Sequence, residues 1–182
     1  MRLKYLLIAF TILVSSLVEA QNVSVEKSIF GIQIGILGIW VHNESRLSNE
    51  FVLRAELGFD GGYRYSDLFD VNYFVLAPVL TAEPRWYYNL EKRNKKGKSI
   101  LKNSGNFVGL KVSFHPDWFV ISNDDNVSVS NQISIIPKWG IKRTLGEHFT
   151  YETGIGFGHG YQIDDGYGGA TADIHLRIGY SF

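Results

Sequence analysis

The last twelve residues, 171–182, alternate without a break. Ala172, Ile174, Leu176, Ile178, Tyr180 and Phe182 share one face, and Thr171, Asp173, His175, Arg177, Gly179 and Ser181 share the other. A period of two places successive side chains on opposite faces of a strand. About ten residues with one unbroken apolar face suffice for a tilted strand to cross a bilayer. A chain that ends this way folds as a closed β structure, and its apolar faces point either into a core or out to lipid.

At the other end, Arg2 and Lys4 precede an apolar run over residues 5–18, and Val18, Glu19 and Ala20 follow as a small-residue cleavage pattern. This is the pattern of a cleavable export signal over residues 1–20, which leaves residues 21–182 as one domain. No later stretch is apolar enough to span a membrane as a helix, so any crossing is made by strands. The chain has no cysteine, which removes disulfides and thiolate metal sites. Lys plus Arg equals Asp plus Glu at 18 each, which argues against a basic nucleic-acid binder.

Six further segments alternate in the same way. Phe149, Tyr151, Thr153, Ile155, Phe157, His159 and Tyr161 oppose Thr150, Glu152, Gly154, Gly156, Gly158 and Gly160. Ile133, Ile135, Pro137, Trp139 and Ile141 oppose Ser134, Lys138, Gly140, Lys142 and Thr144. Val108, Leu110, Val112 and Phe114 oppose Gly109, Lys111, Ser113 and His115. Residues 74–88 set Phe74, Leu76, Leu80, Trp86 and Tyr88 against Thr81, Glu83, Arg85 and Tyr87. Residues 51–60 set Phe51, Leu53, Leu57 and Phe59 against Arg54, Glu56, Gly58 and Asp60. Residues 30–41 read as one strand, with Phe30, Ile32, Ile34, Ile36 and Trp40 on the apolar face.

The polar faces together carry Arg54, Glu56, Asp60, Glu83, Arg85, Lys111, Lys138, Lys142, Glu152, Asp173, His175 and Arg177, nearly balanced in sign. Both signs recur at mid-strand, as a lumen packed with ion pairs requires. Rings gather near the ends of the apolar faces: Trp40, Trp86, Tyr88, Tyr151, Tyr180 and Phe182 at one end, Phe30, Phe59, Phe74 and Tyr161 at the other. Two lipid interfaces select such girdles. The expected fold class is therefore all-β, a single antiparallel up-and-down transmembrane β-barrel of eight strands. Seven strands are strong, so residues 22–28, with Val23 and Val25, are expected to supply the eighth. With the C-terminus periplasmic, residues 90–105 form a connection that is long for that side. Pro78, Pro84 and Pro137 lie inside strands and predict bulges or local unpairing.

The run Glu83, Pro84, Arg85, Trp86, Tyr87, Tyr88, Asn89 and the later Pro137, Lys138, Trp139, Gly140 resemble recurring stretches of small eight-stranded outer-membrane β-barrel proteins, in particular Bacteroidota-type barrel families. The resemblance covers the chain from about Phe30 onward. It implies the fold and a place in the outer membrane, and no activity. It also implies contact with outer-membrane lipid and lipopolysaccharide, monomeric state, and docking on the barrel assembly machinery through a last strand that carries Tyr180 and Phe182. It departs from anchor-type barrels, because no peptidoglycan-binding domain follows Phe182.

Catalytic chemistry is weakly signalled. Lipid A deacylases and phospholipases of this architecture pair a Ser with a His, but His42, His115, His148, His159 and His175 lack the neighbouring Ser those enzymes use. Facing acids and bases in a narrow lumen pair structurally instead. No catalytic residue, cofactor or metal is expected; Asp124, Asp125, Asp164 and Asp165 lack EF-hand spacing and read as turn formers. The four glycines at 154, 156, 158 and 160 lack the context of a phosphate loop and read as packing positions. Lys92, Arg93, Lys95, Lys96, Lys98 and Lys102 form a basic turn, capable of a short helix or of contact with anionic material. Without stacking aromatics it does not read as a nucleic-acid site. A structural or interaction role leads, with a lipid-modifying enzyme and a secreted lipocalin-like binder as alternatives.

Overall fold

A computed structural model describes residues 23–66 and 71–182; the expected export segment lies outside them. The strands are β1 (Ser28–Gly35), β2 (Gly38–Arg46), β3 (Phe51–Ser66), β4 (Val71–Trp86), β5 (Gly105–His115), β6 (Ile121–Ser122), β7 (Gln132–Leu145), β8 (Phe149–Gln162) and β9 (Tyr167–Ser181). Each neighbour in the order β3-β2-β1-β9-β8-β7-β5-β4 is antiparallel, and β3 pairs with β4 to close an eight-stranded barrel. The two-residue β6 is extra and pairs only with β4, through Val75 and Leu76. The wall is closed from the C-terminal end up to the level of the Gly38–Asp60 and Gly35–Arg177 pairs, and β3 and β9 run on beyond it.

The eighth strand does not come from residues 23–27, the described part of the expected segment that precedes β1. Residues 23–27 form no strand; the segment read as a single strand over 30–41 is a hairpin instead. Gly35 pairs with Gly38, and only Ile36 and Leu37 form the turn. Antiparallel partners share a face, and here each pair sums to an odd number, so the outward positions change parity across the turn. Phe30, Ile32 and Ile34 point outward, but their partners Asn43, Val41 and Ile39 are odd-numbered. Trp40 is therefore a buried lumen residue, not a girdle ring.

Phe30 is also corrected. It lies at the end that holds the C-terminus, with its ring 5.8 Å from Phe182. There two arcs of rings run round the wall: Phe51, Trp86, Tyr88 and Trp139, then Phe149, Tyr180, Phe182 and Phe30. The Trp139 indole donates to Tyr88 Oη at 2.8 Å. At the opposite end Phe59 meets Phe119 of the β5–β7 loop at 6.0 Å.

The prolines interrupt pairing without shifting register. β4–β5 pairing skips Glu83 and Pro84, and β7–β8 pairing skips Ile136 and Pro137, with the same register on either side. Pro78 falls where the partner of β4 changes from β5 to β6.

The long connection between β4 and β5 closes the barrel at the end that holds the C-terminus. It carries helix α1 (Leu90–Lys95) and a 3-10 turn (Leu101–Asn103). Leu90 joins Val25, Val52, Tyr87 and Phe107 in a small apolar core. Residues 23–27 complete that plug, with Val25 N–H bonded to Asn49 O at 2.8 Å.

Candidate functional site

Each strand brings its polar face inward, and the charged side chains meet in the lumen. Arg54, Arg85, Lys142, Glu44 and Glu152 are wholly shielded from solvent. Arg85 lies at the centre. It donates to Glu152 through Nη1 at 2.9 Å and Nη2 at 2.8 Å, and to Glu83 through Nε at 2.9 Å and Nη2 at 3.0 Å. Its guanidinium also covers the Phe107 ring at 4.1 Å. Two forked contacts satisfy most of the donors of a planar cation, the arrangement a dry interior requires.

Sequence reasoning missed Glu44, which binds more of the lumen together than any of the predicted residues. Its carboxylate accepts from Lys142 Nζ at 2.9 Å, Arg54 Nη1 at 3.0 Å, Asn103 Nδ2 at 2.9 Å and Tyr87 Oη at 3.2 Å. With Glu44 counted, the lumen acids are Glu44, Glu56, Asp60, Glu83, Glu152 and Asp173, and the lumen cations Arg54, Arg85, Lys111, Lys138, Lys142 and Arg177 match them one for one. His42 and Trp40 were missed as well, whereas Tyr87 and Gln33 lie inward as their polar-face positions predict. Glu44 was lost because residues 43–49 read as a short connection, whereas β2 of the unrecognised hairpin runs on to Arg46.

The predicted residues fall into two linked groups. Near the plug, Arg54 pairs with Glu56 and Glu44 and also donates to Gln33 Oε1 at 2.6 Å. Arg177 bonds Glu56 at 2.9 Å and stacks on Trp40 at 3.8 Å. Further along, Lys111 Nζ donates to Asp173 Oδ2 at 2.7 Å, and His175 Nδ1 lies 2.6 Å from Asp173 Oδ1. Lys138 stands between the groups, 3.7 Å from Glu83 and 3.5 Å from Asp173. Asp60 is apart from both. It accepts from the Trp40 indole at 2.7 Å and lies 2.9 Å from His115 Nε2.

No serine or threonine hydroxyl among the described residues bonds to a histidine ring; the polar ring contacts are to Asp60, Asp173, Glu152, Lys138 and the Ser181 carbonyl. Nor do the described residues contain a cluster of acids and histidines fit to hold a metal ion. The β8 glycines make room for lumen side chains. A Cβ on Gly154 would lie 2.7 Å from the His175 ring, and one on Gly156 2.7 Å from Lys138 Cβ. The basic segment does form a short helix, with Lys95 2.6 Å from Glu91 one turn earlier. Lys92, Arg93, Lys96, Lys98 and Arg143 surround a shallow surface cavity beside Tyr88.

No protein-family model matches the chain, and neither a curated protein nor a solved structure matches it.

Proposed function

We propose that this is an integral outer-membrane β-barrel with a side-chain-filled lumen, serving the envelope in a structural or interaction role through its loops. The observation that carries the reading is the polarity of the cylinder. Ile34, Leu57, Ile155, Leu176 and Ile178 stand 43% to 60% exposed around the wall, while the charges are enclosed. In water that belt would greatly exceed the few hundred Å² of contiguous apolar surface a soluble monomer tolerates. In hydrocarbon the same belt costs nothing, and the strand pairing satisfies the backbone wherever the ladder is closed. The arrangement is the reverse of a soluble carrier, whose apolar faces line the cavity.

Eight strands enclose only enough space for side chains, and here paired charges and an apolar plug occupy it. Catalysis therefore has no part in the reading. Partner contact is assigned to the loops opposite the termini and the strand ends beside them, where Trp118 and Phe119 of the β5–β7 loop, Ile121 of β6 and Tyr167 at the start of β9 are exposed. Large exposed rings mark contact surfaces. The belt meets lipid and lipopolysaccharide, and the strand ending in Tyr180 and Phe182 serves assembly. No second chain is needed to cover the wall, which fits a monomer.

Expression in a Gram-negative host tests this reading. The mature chain is expected in the envelope fraction, extractable only with detergent, and its unboiled band should migrate differently from the boiled one. A chain that remains in aqueous solution without detergent contradicts it.

A further inference from the structure

The barrel wall has one low place. β1 and β2 stop at the turn of Ile36 and Leu37, level with Asp60 of β3 and Arg177 of β9. Beyond that level β9 continues to Tyr167 and β3 to Ser66, each paired on its far side, with β8 and β4. Apart from the Gly61 N–H, which donates to the Leu37 carbonyl at 2.9 Å, no strand among the described residues pairs with the two edges that face each other across the gap. Three strand spacings separate them at the turn, roughly 14 Å.

A cavity of about 260 Å³ fills this notch. Its rim is Ile36, Leu37, Ile174 and Leu176, all exposed on the outer wall. Its floor includes Trp40, Asp60, Lys111, Asp173 and Arg177. The acids of the floor are already satisfied. Asp60 has Trp40 and His115, and Asp173 has Lys111 and His175. Spare capacity lies with a donor. Arg177 is 3% exposed, bonds Glu56 through Nη1 only, and its buried Nε has no partner. An unpaired guanidinium donor in a desolvated setting calls for an oxyanion.

We infer that the notch takes the phosphate head of a lipid from the surrounding bilayer, held by Arg177 and Lys111, with the acyl chain passing over the apolar rim. The inference rests on the membrane reading above. The cavity is smaller than the usual pocket for a whole ligand, so it suits a head group and leaves the chain outside.

Trp40 reports on the site, because an unbroken wall would shield it from lipid. In the triple variant Trp86→Phe, Trp118→Phe, Trp139→Phe it is the only indole left. That barrel, folded in micelles of a phosphate-free alkyl maltoside, is titrated with a bromoalkyl phosphate, with the carboxylate and trimethylammonium of equal chain length, and with inorganic phosphate as competitor. Saturable quenching by the phosphate amphiphile is expected, weakened roughly tenfold in Arg177→Met, the loss of one hydrogen bond to a charged group. Arg177→Lys should retain most of it. If Arg177→Met does not fold, Leu37→Glu on the exposed rim should weaken quenching to a similar degree through repulsion.

Equal quenching by all three heads, or none by any, overturns the inference. Equal affinity for the carboxylate overturns the assignment to phosphate, and displacement by inorganic phosphate alone overturns the bilayer as its source. Insertion is read separately from the heat-modifiable band. Failure to insert counts against the membrane reading, and an inserted barrel with unquenched Trp40 counts against the notch alone.

Discussion

Lys142 Nζ donates to Glu44 Oε1 at 2.9 Å across the lumen, joining β7 to β2 over 98 positions of sequence. Glu44 also faces Arg54 at 3.0 Å and Arg85 at 3.4 Å. Removing one partner of a buried ion pair leaves the other charge uncompensated, which costs far more than the net worth of the pair. Glu44→Ala strands Lys142, which pairs with no other acid among the described residues, and takes one acid from Arg54 and Arg85, which keep Glu56, Glu83 and Glu152. A loss of about 3–5 kcal/mol is expected, read from urea unfolding in vesicles. Glu44→Ala combined with Lys142→Met should recover part of it, because the stranded cation is gone.

The outer wall should respond in the opposite sense to a soluble surface. Leu57 is 52% exposed and pairs across with Leu80 and Val41 inside the apolar belt. In water, an arginine at so exposed a position would change stability little. Facing lipid, Leu57→Arg should cost about 2–4 kcal/mol of folding stability in vesicles. Thr153, which bonds the His175 carbonyl, is not an equivalent control; Lys92 on the exposed helix is, and Lys92→Ala should leave stability unchanged.

The β8 glycines give a packing test. A Cβ on Gly156 would meet Lys138 Cβ and Pro137 O at 2.7 Å and Ile136 Cγ2 at 2.8 Å, close to where β7 and β8 already skip pairing. Gly156→Val is expected to destabilise by about 1–3 kcal/mol through overpacking, measured by the same unfolding assay. Gly97 and Gly146 have open space around them and both adopt positive φ, so substitution there strains the backbone alone.

Most of the wall was legible in the sequence because one physical rule writes it. β3, β4, β5, β7, β8 and β9 each show one polar and one apolar face, and charges such as Arg54, Glu83, Lys142 and Arg177 fall on the inward side. The hairpin of β1 and β2 was hidden because its turn, Ile36 and Leu37, is apolar and lacks the Asn-Gly type of signal. Gly35 and Gly38 were the available clue. Gly38 has φ +144 and leaves no room for a Cβ against Trp40 and the Phe59 carbonyl. A two-residue turn reverses parity, so missing it displaced Trp40, and the rest of β2, with His42 and Glu44, was lost with it. The plug was illegible for a different reason. Val25, Leu90 and Asn103 come from segments without periodicity, and only tertiary packing shows that they share a site.

The central claim is that the apolar belt faces lipid, and the absence of native cysteine makes it directly measurable. Single cysteines are placed at Leu57, Ile155 and Leu176 on the wall, at Trp118 in the β5–β7 loop and at Tyr167 at the outer end of β9, and intact cells are treated with a membrane-impermeant maleimide. Trp118→Cys and Tyr167→Cys are expected to react, and the wall positions only after the barrel is unfolded. Rapid labelling of Leu57→Cys, Ile155→Cys and Leu176→Cys in the folded protein would contradict it.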